Sequence, residues 1–222
     1  MLKAAADYID RNGCVVRYGP FAGMVYSKGA ALSRISIPKL LGTYEQELHP
    51  ILETISTRKY DLIIDIGAAE GYYAVGLARM FRTKVLAFDP EPIERKYSEE
   101  IAEINGMKQF VSLRNLFLRS DIDTYSNLRV LCLCDCEGFE KSLFDQETVK
   151  KVGNWDLIVE LHGDAEQILP PLKWLHPISL IPSTTRVGEF EELKGLELDS
   201  ARLLSEFRSA PQKWLWCDGS AK

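Results

Sequence analysis

Apolar and polar positions along this chain fall in blocks of two kinds. Apolar runs of strand length occupy 61–66, 83–88, 109–114, 129–134 and 155–161. Between them, residues 71–81, 92–104 and 139–151 carry apolar positions at helical spacing. In the second of these, Ile93, Tyr97, Ile101 and Ile104 line one face. Strand and helix in alternation predict an α/β fold, a parallel sheet covered by helices on both faces. Beyond Asp164 the pattern predicts a helix at 165–170, a strand at 177–182, a helix near 199–208 and a final strand from Lys213 to Cys217. The charged run at 188–199 reads as a solvated helix and loop.

The N-terminal part is less regular. Residues 1–11 predict a short helix, 14–18 and 21–26 two short strands around Gly19-Pro20, and 27–42 a loop-rich stretch. Thr43 and Gln46 form a capping-box pattern, and Tyr44, Leu48, Ile51, Leu52 and Ile55 follow as a helical stripe. Pro50 inside that stripe predicts a kink or an early end. No repeat or low-complexity linker divides the chain, so 1–222 reads as one domain, with 1–58 a cap segment on a core at 59–222.

Composition narrows the class. Hydrophobic residues make up 46% and charged residues 27% of the 222 positions, which places the chain among globular proteins. A net charge of −5 argues against a nucleic-acid partner, since such proteins carry a basic face. No run has the length of a membrane span, and the charged N-terminus lacks the apolar core of a signal peptide. Five scattered cysteines argue against a disulfide framework, so a reducing, cytoplasmic setting is expected. Cys132, Cys134 and Cys136 read as core residues on one face of a buried central strand. Zinc sites prefer longer spacings and a second ligand pair.

The candidate chemistry starts at 60–90. An apolar strand ends in Asp65, a turn of small residues follows (Gly67, Ala68, Ala69, Gly71), then a helix, then a second strand ending in Asp89. Glycines there let a ligand approach the backbone, and an acid some 20 residues on suits ribose hydroxyls. The spacing Gly67-x-x-x-Gly71 is not the dinucleotide fingerprint, and Glu70 sits where a pyrophosphate needs neutral or positive surroundings. A cofactor with a cationic end, S-adenosylmethionine, fits better. A nicotinamide-dependent oxidoreductase and a cofactor-binding protein without catalysis stand as alternatives. Ligands of open parallel sheets bind beyond the strands' carboxyl ends, and here those ends carry Asp65, Asp89, Asn115, Asp135 with Glu137, and Glu160 with His162.

These segments resemble the class I S-adenosylmethionine-dependent methyltransferases, and among them the FkbM-type family. The matching pieces are DIGAAEGYYA (65–74), FDPEP (88–92), NLFL (115–118), LCDCEGFE (133–140), VELH (159–162) and, upstream, LLGTYEQEL (40–48). Ala69 stands where the family has Asn or Gly, and Cys136 where it has an aliphatic residue. The resemblance implies a Rossmann-like, mostly parallel seven-stranded sheet with a reversed last strand, 177–182 and 213–217 being its final pair. It also implies O-methylation of a small molecule or sugar.

On this reading Asp65 lies near the cofactor's methionine end or fixes the turn. Gly67, Ala68, Glu70 and Gly71 form the cofactor turn, Asp89 with Pro90 meets the ribose, and Asn115 meets the adenine edge. Asp135 and Glu137 flank the transferred methyl group, where a carboxylate orients the cofactor amine, takes a proton or holds a divalent cation; no residue pattern establishes a metal. The alternative role for both is capping the following helix. Glu160 and His162 share one side of their strand, and His162 is the candidate general base or a residue that closes the pocket. Tyr44, Glu45 and Arg186 are weaker substrate-side candidates.

Overall fold

The computed structural model describes residues 2–32, 36–162, 171, 178–184, 188–206 and 212–220. Seven strands form one sheet: β1 (Leu62–Ile66), β2 (Val85–Phe88), β3 (Val111–Arg114), β4 (Val130–Cys134), β5 (Asp156–Leu161), β6 (Ile178–Pro182) and β7 (Lys213–Cys217). Their order is β3-β2-β1-β4-β5-β7-β6. The first five run parallel, and β7 inserts antiparallel between β5 and β6. This is the class I methyltransferase arrangement, with the reversed last strand in its place. Strand order reverses between β1 and β4, so the ligand crevice of such a sheet opens at their carboxyl ends.

Alternation within the strands sends side chains into two separate cores. Ile63 of β1 and Leu131 of β4 join one core with Ala74, Leu77 and Ala78 of helix α5 (Tyr72–Phe81) and Ile101 of α6 (Pro92–Ile104). Ile64, Cys132 and Leu157 face the other, with Ile122 of α7 (Asp121–Tyr125) and Leu143 of α8 (Glu140–Leu143). Cys132 and Cys134 are fully buried in that second core, as apolar residues of a central strand, but Cys136, expected on the same strand face, lies past the strand end and is partly exposed.

The N-terminal segment contributes α1 (Leu2–Asn12), α2 (Lys28–Ala31), α3 (Ser36–Leu41) and α4 (His49–Ile55). Several expectations change here. Helices replace the loop-rich reading of 27–42 within the described residues. The two strands expected at 14–18 and 21–26 reduce to one bridge, Val15 with Val25, because turns fill the chain between them. The helix expected from Thr43 starts at His49: Glu45 adopts φ 46°, which breaks the helical path, and Pro50 lies in the first turn, where a missing N–H costs nothing. Leu48, Ile51, Leu52 and Ile55 are buried as the stripe predicted.

In α6 the buried face is Ser98, Ile101 and Ala102, while Ile93 and Ile104 are half exposed. The helix expected at 139–151 is only α8 and a 3-10 turn, Val149–Lys151. Asp145 interrupts it: its Oδ1 accepts the amides of Glu147 (2.9 Å) and Thr148 (3.0 Å), a side-chain turn that competes with the helix. The run at 188–199 is not simply solvated. Leu193 is buried in the core, and the carbonyls of Glu192 and Lys194 accept from Asn12 and Arg11 of α1. The helix expected near 199–208 is observed as Ser200–Leu203. The expected helix at 165–170 and Arg186 lie outside the described residues. Among the described residues no helix is long and apolar enough to cross a membrane.

Candidate functional site

The turn after β1 is held by β2. Gly67 and Ala68 both donate their amides to the Phe88 carbonyl, at 2.8 and 3.0 Å. Gly67 has φ +84°, and a Cβ there would lie 1.6 Å from the Asp135 carbonyl oxygen. Only glycine fits, for conformation and for space. Ala69 also takes the left-handed region, with φ 44°, at the position where the resembling family has Asn or Gly. Its amide donates to Asp89 Oδ2 at 2.9 Å, while Glu91 donates to Asp89 Oδ1 at 2.8 Å. Asp89 therefore latches the turn to the end of β2 and keeps one further lone pair on each oxygen for a ligand.

A cavity of about 450 Å³ opens at this edge. Its wall runs from Gly67, Ala69 and Glu70 past Asp89 and Pro90 to Asn115, and across to Asp135, Cys136 and Glu137. Phe88 and Phe117, edge to face at 5.1 Å, supply apolar wall. Seven of the sequence-predicted cofactor residues thus share one cavity: Gly67, Glu70, Asp89, Pro90, Asn115, Asp135 and Glu137. Asp65, Ala68 and Gly71 are not part of its wall. Gly71 packs on α6, where a Cβ would come 2.4 Å from Ser98 Oγ.

Asp65 is fully buried on the same strand face as Ile63, and neither carboxylate oxygen has a hydrogen-bond partner. Burial, then repulsion from Asp89 and Glu70, pushes its pKa up to about 7. Glu70 is paired: Lys39 Nζ lies 2.5 Å from its Oε1, both side chains are buried, and Tyr26 donates to the same oxygen at 3.3 Å. The turn is therefore less anionic than its sequence reads. No pattern singles out Lys39 in the sequence, because its partner lies 31 residues away.

Beyond the cavity stands a group of acids around one histidine. Carboxylate oxygens of Glu45, Asp135 and Glu160 lie within 4.8 Å of one another, as do ligand atoms of Asp135, Glu140 and His162. Either set has the donor chemistry to hold a divalent cation. Burial, then Glu160 and Glu45, raises the Asp135 pKa well above the usual carboxylate range. Like charges this close repel one another, and a bound cation would relieve that repulsion. Tyr73 donates its hydroxyl to Glu45 Oε2 at 2.5 Å, and Tyr44 joins the cavity wall.

Glu140 organises the histidine. Its Oε1 accepts from the amides of Cys136 (3.1 Å) and Gly138 (3.2 Å) and from His162 Nδ1 (3.0 Å). Burial would raise Glu140; the hydrogen bond from His162 and the backbone amides bring it below its ordinary value. With Nδ1 as donor, the neutral imidazole keeps its lone pair on Nε2. Nε2 lies 3.6–3.7 Å from Asp135, Glu137 and Glu160. The Glu140 hydrogen bond and these acids raise the His162 pKa against the effect of burial. His162 and Glu160 stand behind Asp135 and Glu137 and do not themselves line the cavity. In the sequence Glu140 is only the last acid of LCDCEGFE, with no role; its place two residues past Gly138 is the available signal.

No family model matches the sequence, and no curated protein matches it. The fold has solved relatives among class I S-adenosylmethionine-dependent methyltransferases and their kin. The precorrin 8w decarboxylase of Methanobacterium thermoautotrophicum is similar with a TM-score of 0.52 at 17% identity, over 76% of this chain and 87% of that one. The METTL16 methyltransferase domain gives a TM-score of 0.52 at 14% identity, over 85% and 69% of the two chains. An O-methyltransferase from Bacillus cereus, solved in complex with SAH, gives a TM-score of 0.50 at 12% identity, over 97% and 91%. At such identities the likeness is one of fold.

Proposed function

We propose that this chain is an S-adenosylmethionine-dependent methyltransferase of FkbM type that methylates a hydroxyl of a small molecule or sugar. The observation that carries the reading is one cavity at the carboxyl edge of β1, β2 and β4. It joins the Gly67 turn and Asp89 to Asp135, with His162 close behind. The residues fit the cofactor. The space a Gly67 Cβ would fill stays open to backbone approach, Asp89 offers free lone pairs for ribose hydroxyls, and Phe88, Asn115 and Phe117 form a wall for a flat base. A volume near 450 Å³ is in the range of small-molecule pockets. The shared fold supports the same reading.

When bound, the cofactor supplies a methyl group on a cationic sulfur. Asp135 and Glu137 favour that charge at the cavity wall. His162, its Nδ1 proton fixed by Glu140, offers Nε2 as the base for a hydroxyl proton, directly or through one water. Glu140, Glu160 and Glu137 stabilise the imidazolium that results. Holding oxygen, carbon and sulfur in line supplies the larger part of the acceleration.

Thermal unfolding with added ligands tests this. S-adenosylmethionine or its demethylated product at about 100 times its Kd adds roughly 2.7 kcal/mol of stability, while NAD and NADP add none. On the true acceptor, His162→Ala lowers turnover about 10²–10⁴-fold and leaves cofactor affinity near normal. Stabilisation by NAD alone sinks the methyltransferase reading; full turnover by His162→Ala sinks only the base.

A further inference from the structure

We propose that Cys134 and Cys136 form a modification site, a thiol pair that small peroxides convert to a disulfide, distorting the cavity wall at Asp135. Their sulfurs lie 3.5 Å apart. Cys134 ends β4 and is fully buried, while Cys136 is partly exposed and lines the cavity. Cys132 and Cys134 also sit two residues apart, yet both lie within β4, where regular strand geometry keeps such side chains about 6–7 Å apart. Cys136 lies past the strand end. There the chain turns through Glu137 (φ 54°) and Gly138 (φ 100°), with Phe139 N donating to Cys136 O at 3.2 Å. The turn brings the second sulfur back to the first.

The step balances with hydrogen peroxide as oxidant. The Cys136 thiolate attacks one peroxide oxygen, the O–O bond breaks, and Cys136 becomes a sulfenic acid as hydroxide leaves and is protonated to water. The Cys134 sulfur then attacks the Cys136 sulfur. The S–S bond forms, the S–O bond breaks, and the hydroxyl leaves with the Cys134 proton as a second water. Two thiols are oxidised and one peroxide is reduced to two waters.

Closure must bring sulfurs now 3.5 Å apart to a bond length of about 2 Å. Asp135 lies between them and has little slack. Its amide donates to Ile66 O at 2.9 Å, and its carbonyl fills the space beside Gly67. Bridging the flanking sulfurs therefore displaces the peptide on which the cofactor turn rests. This second part, and only this part, depends on the proposed function.

The test treats the full chain with excess hydrogen peroxide, removes the peroxide, blocks remaining thiols with iodoacetamide in denaturant and digests with trypsin. Residues 130–141 form one peptide, bounded by Arg129 and Lys141, which holds Cys132, Cys134 and Cys136. The expected product is two hydrogens lighter than the reduced peptide, alkylated at Cys132 alone, with fragmentation placing the bridge between 134 and 136. Dithiothreitol restores three alkylation sites. Cys132→Ala keeps the bridge; Cys134→Ala and Cys136→Ser abolish it. Three alkylated cysteines after peroxide, a Cys132–Cys134 bridge, or over-oxidised Cys136 without a bridge overturns the site. In the bridged protein the melting shift given by S-adenosylmethionine disappears and returns with dithiothreitol. A bridge that leaves that shift intact overturns the coupling to Asp135. A reduced protein showing no shift refutes the proposed function and leaves the bridge to be judged by mass alone.

Discussion

Asp65 is a carboxyl without partners in a fully buried place, and its pKa near 7 makes it a source of pH dependence. The folded-state value lies above the unfolded one, so the native state binds the proton more tightly. Stability from this group is full below about pH 4, falls as pH rises toward 7, and is flat above. Asp65→Asn should remove that slope. Urea unfolding at pH 5 and pH 8 should show the parent losing on the order of 2.5 kcal/mol between them relative to the variant. Equal losses in both proteins place the ionisation elsewhere. His162 gives a second residue-level expectation. Its raised pKa puts the rising limb of kcat/KM above pH 6.5, and Glu140→Gln should move that limb down, toward the ordinary histidine value. An unmoved limb would show that Glu140 only packs. At this scale the sequence showed the strand-end acids and His162, because their types and spacing carry chemistry. It did not show that Asp65 turns away from the cavity or that Glu140 fixes the imidazole, since both depend on which side chains meet.

The elements divide into two edges with different duties. At the carboxyl edge, Asp89 keeps acceptor capacity toward the cavity. At the opposite edge, polar groups are satisfied among themselves. Asp156 opens β5 fully buried and accepts from Arg58 (2.8 Å), Arg129 (2.7 Å), Tyr60 (2.5 Å) and the Gly219 amide (2.9 Å). These groups tie the starts of β1, β4 and β5 to the end of β7. Asp156→Ala should lower stability by about 1.5–3 kcal/mol, because Arg129 and Tyr60 lose their buried acceptor while Arg58 keeps Asp218. Ligand affinity in the folded variant should hold, measured by titration well below the melting point; a matching loss of affinity would mean that the two edges are coupled. All seven strands were legible from apolar runs bounded by turn residues. The helices were legible where sheet packing demanded them, and misread where a local side-chain turn won, as at Asp145, or where propensity gave no signal, as at 36–41.

For the whole molecule, the first core is common property. Tyr8, Phe21, Leu40 and Leu52 of the cap segment pack in it with Ala74, Leu77 and Ile101 of the sheet's own helices. Cap and sheet should therefore unfold together. The four tryptophans all lie beyond residue 58, and Cys14 lies in the cap. Tryptophan fluorescence and the rise of Cys14 labelling by iodoacetamide above its folded-state rate, read by mass, should change at the same urea concentration. Labelling that clearly precedes the fluorescence change would make the cap a separate unit. The single-domain expectation came from the absence of a linker, but the depth of the shared core comes from contacts between segments far apart in sequence, which one-dimensional patterns do not carry.

The Lys39–Glu70 pair has a consequence for how such a chain diverges. Removing either partner strands a buried charge at a cost of about 3–5 kcal/mol, whereas replacing both by well-packed apolar residues is close to neutral. Single steps at these positions are thus blocked while the double step is open. In a lineage descended from this protein, positions 39 and 70 should change together or not at all. A chimera that joins this core to a foreign N-terminal segment should fold only if that segment brings a cation to Glu70 or if Glu70 is replaced in the same stroke.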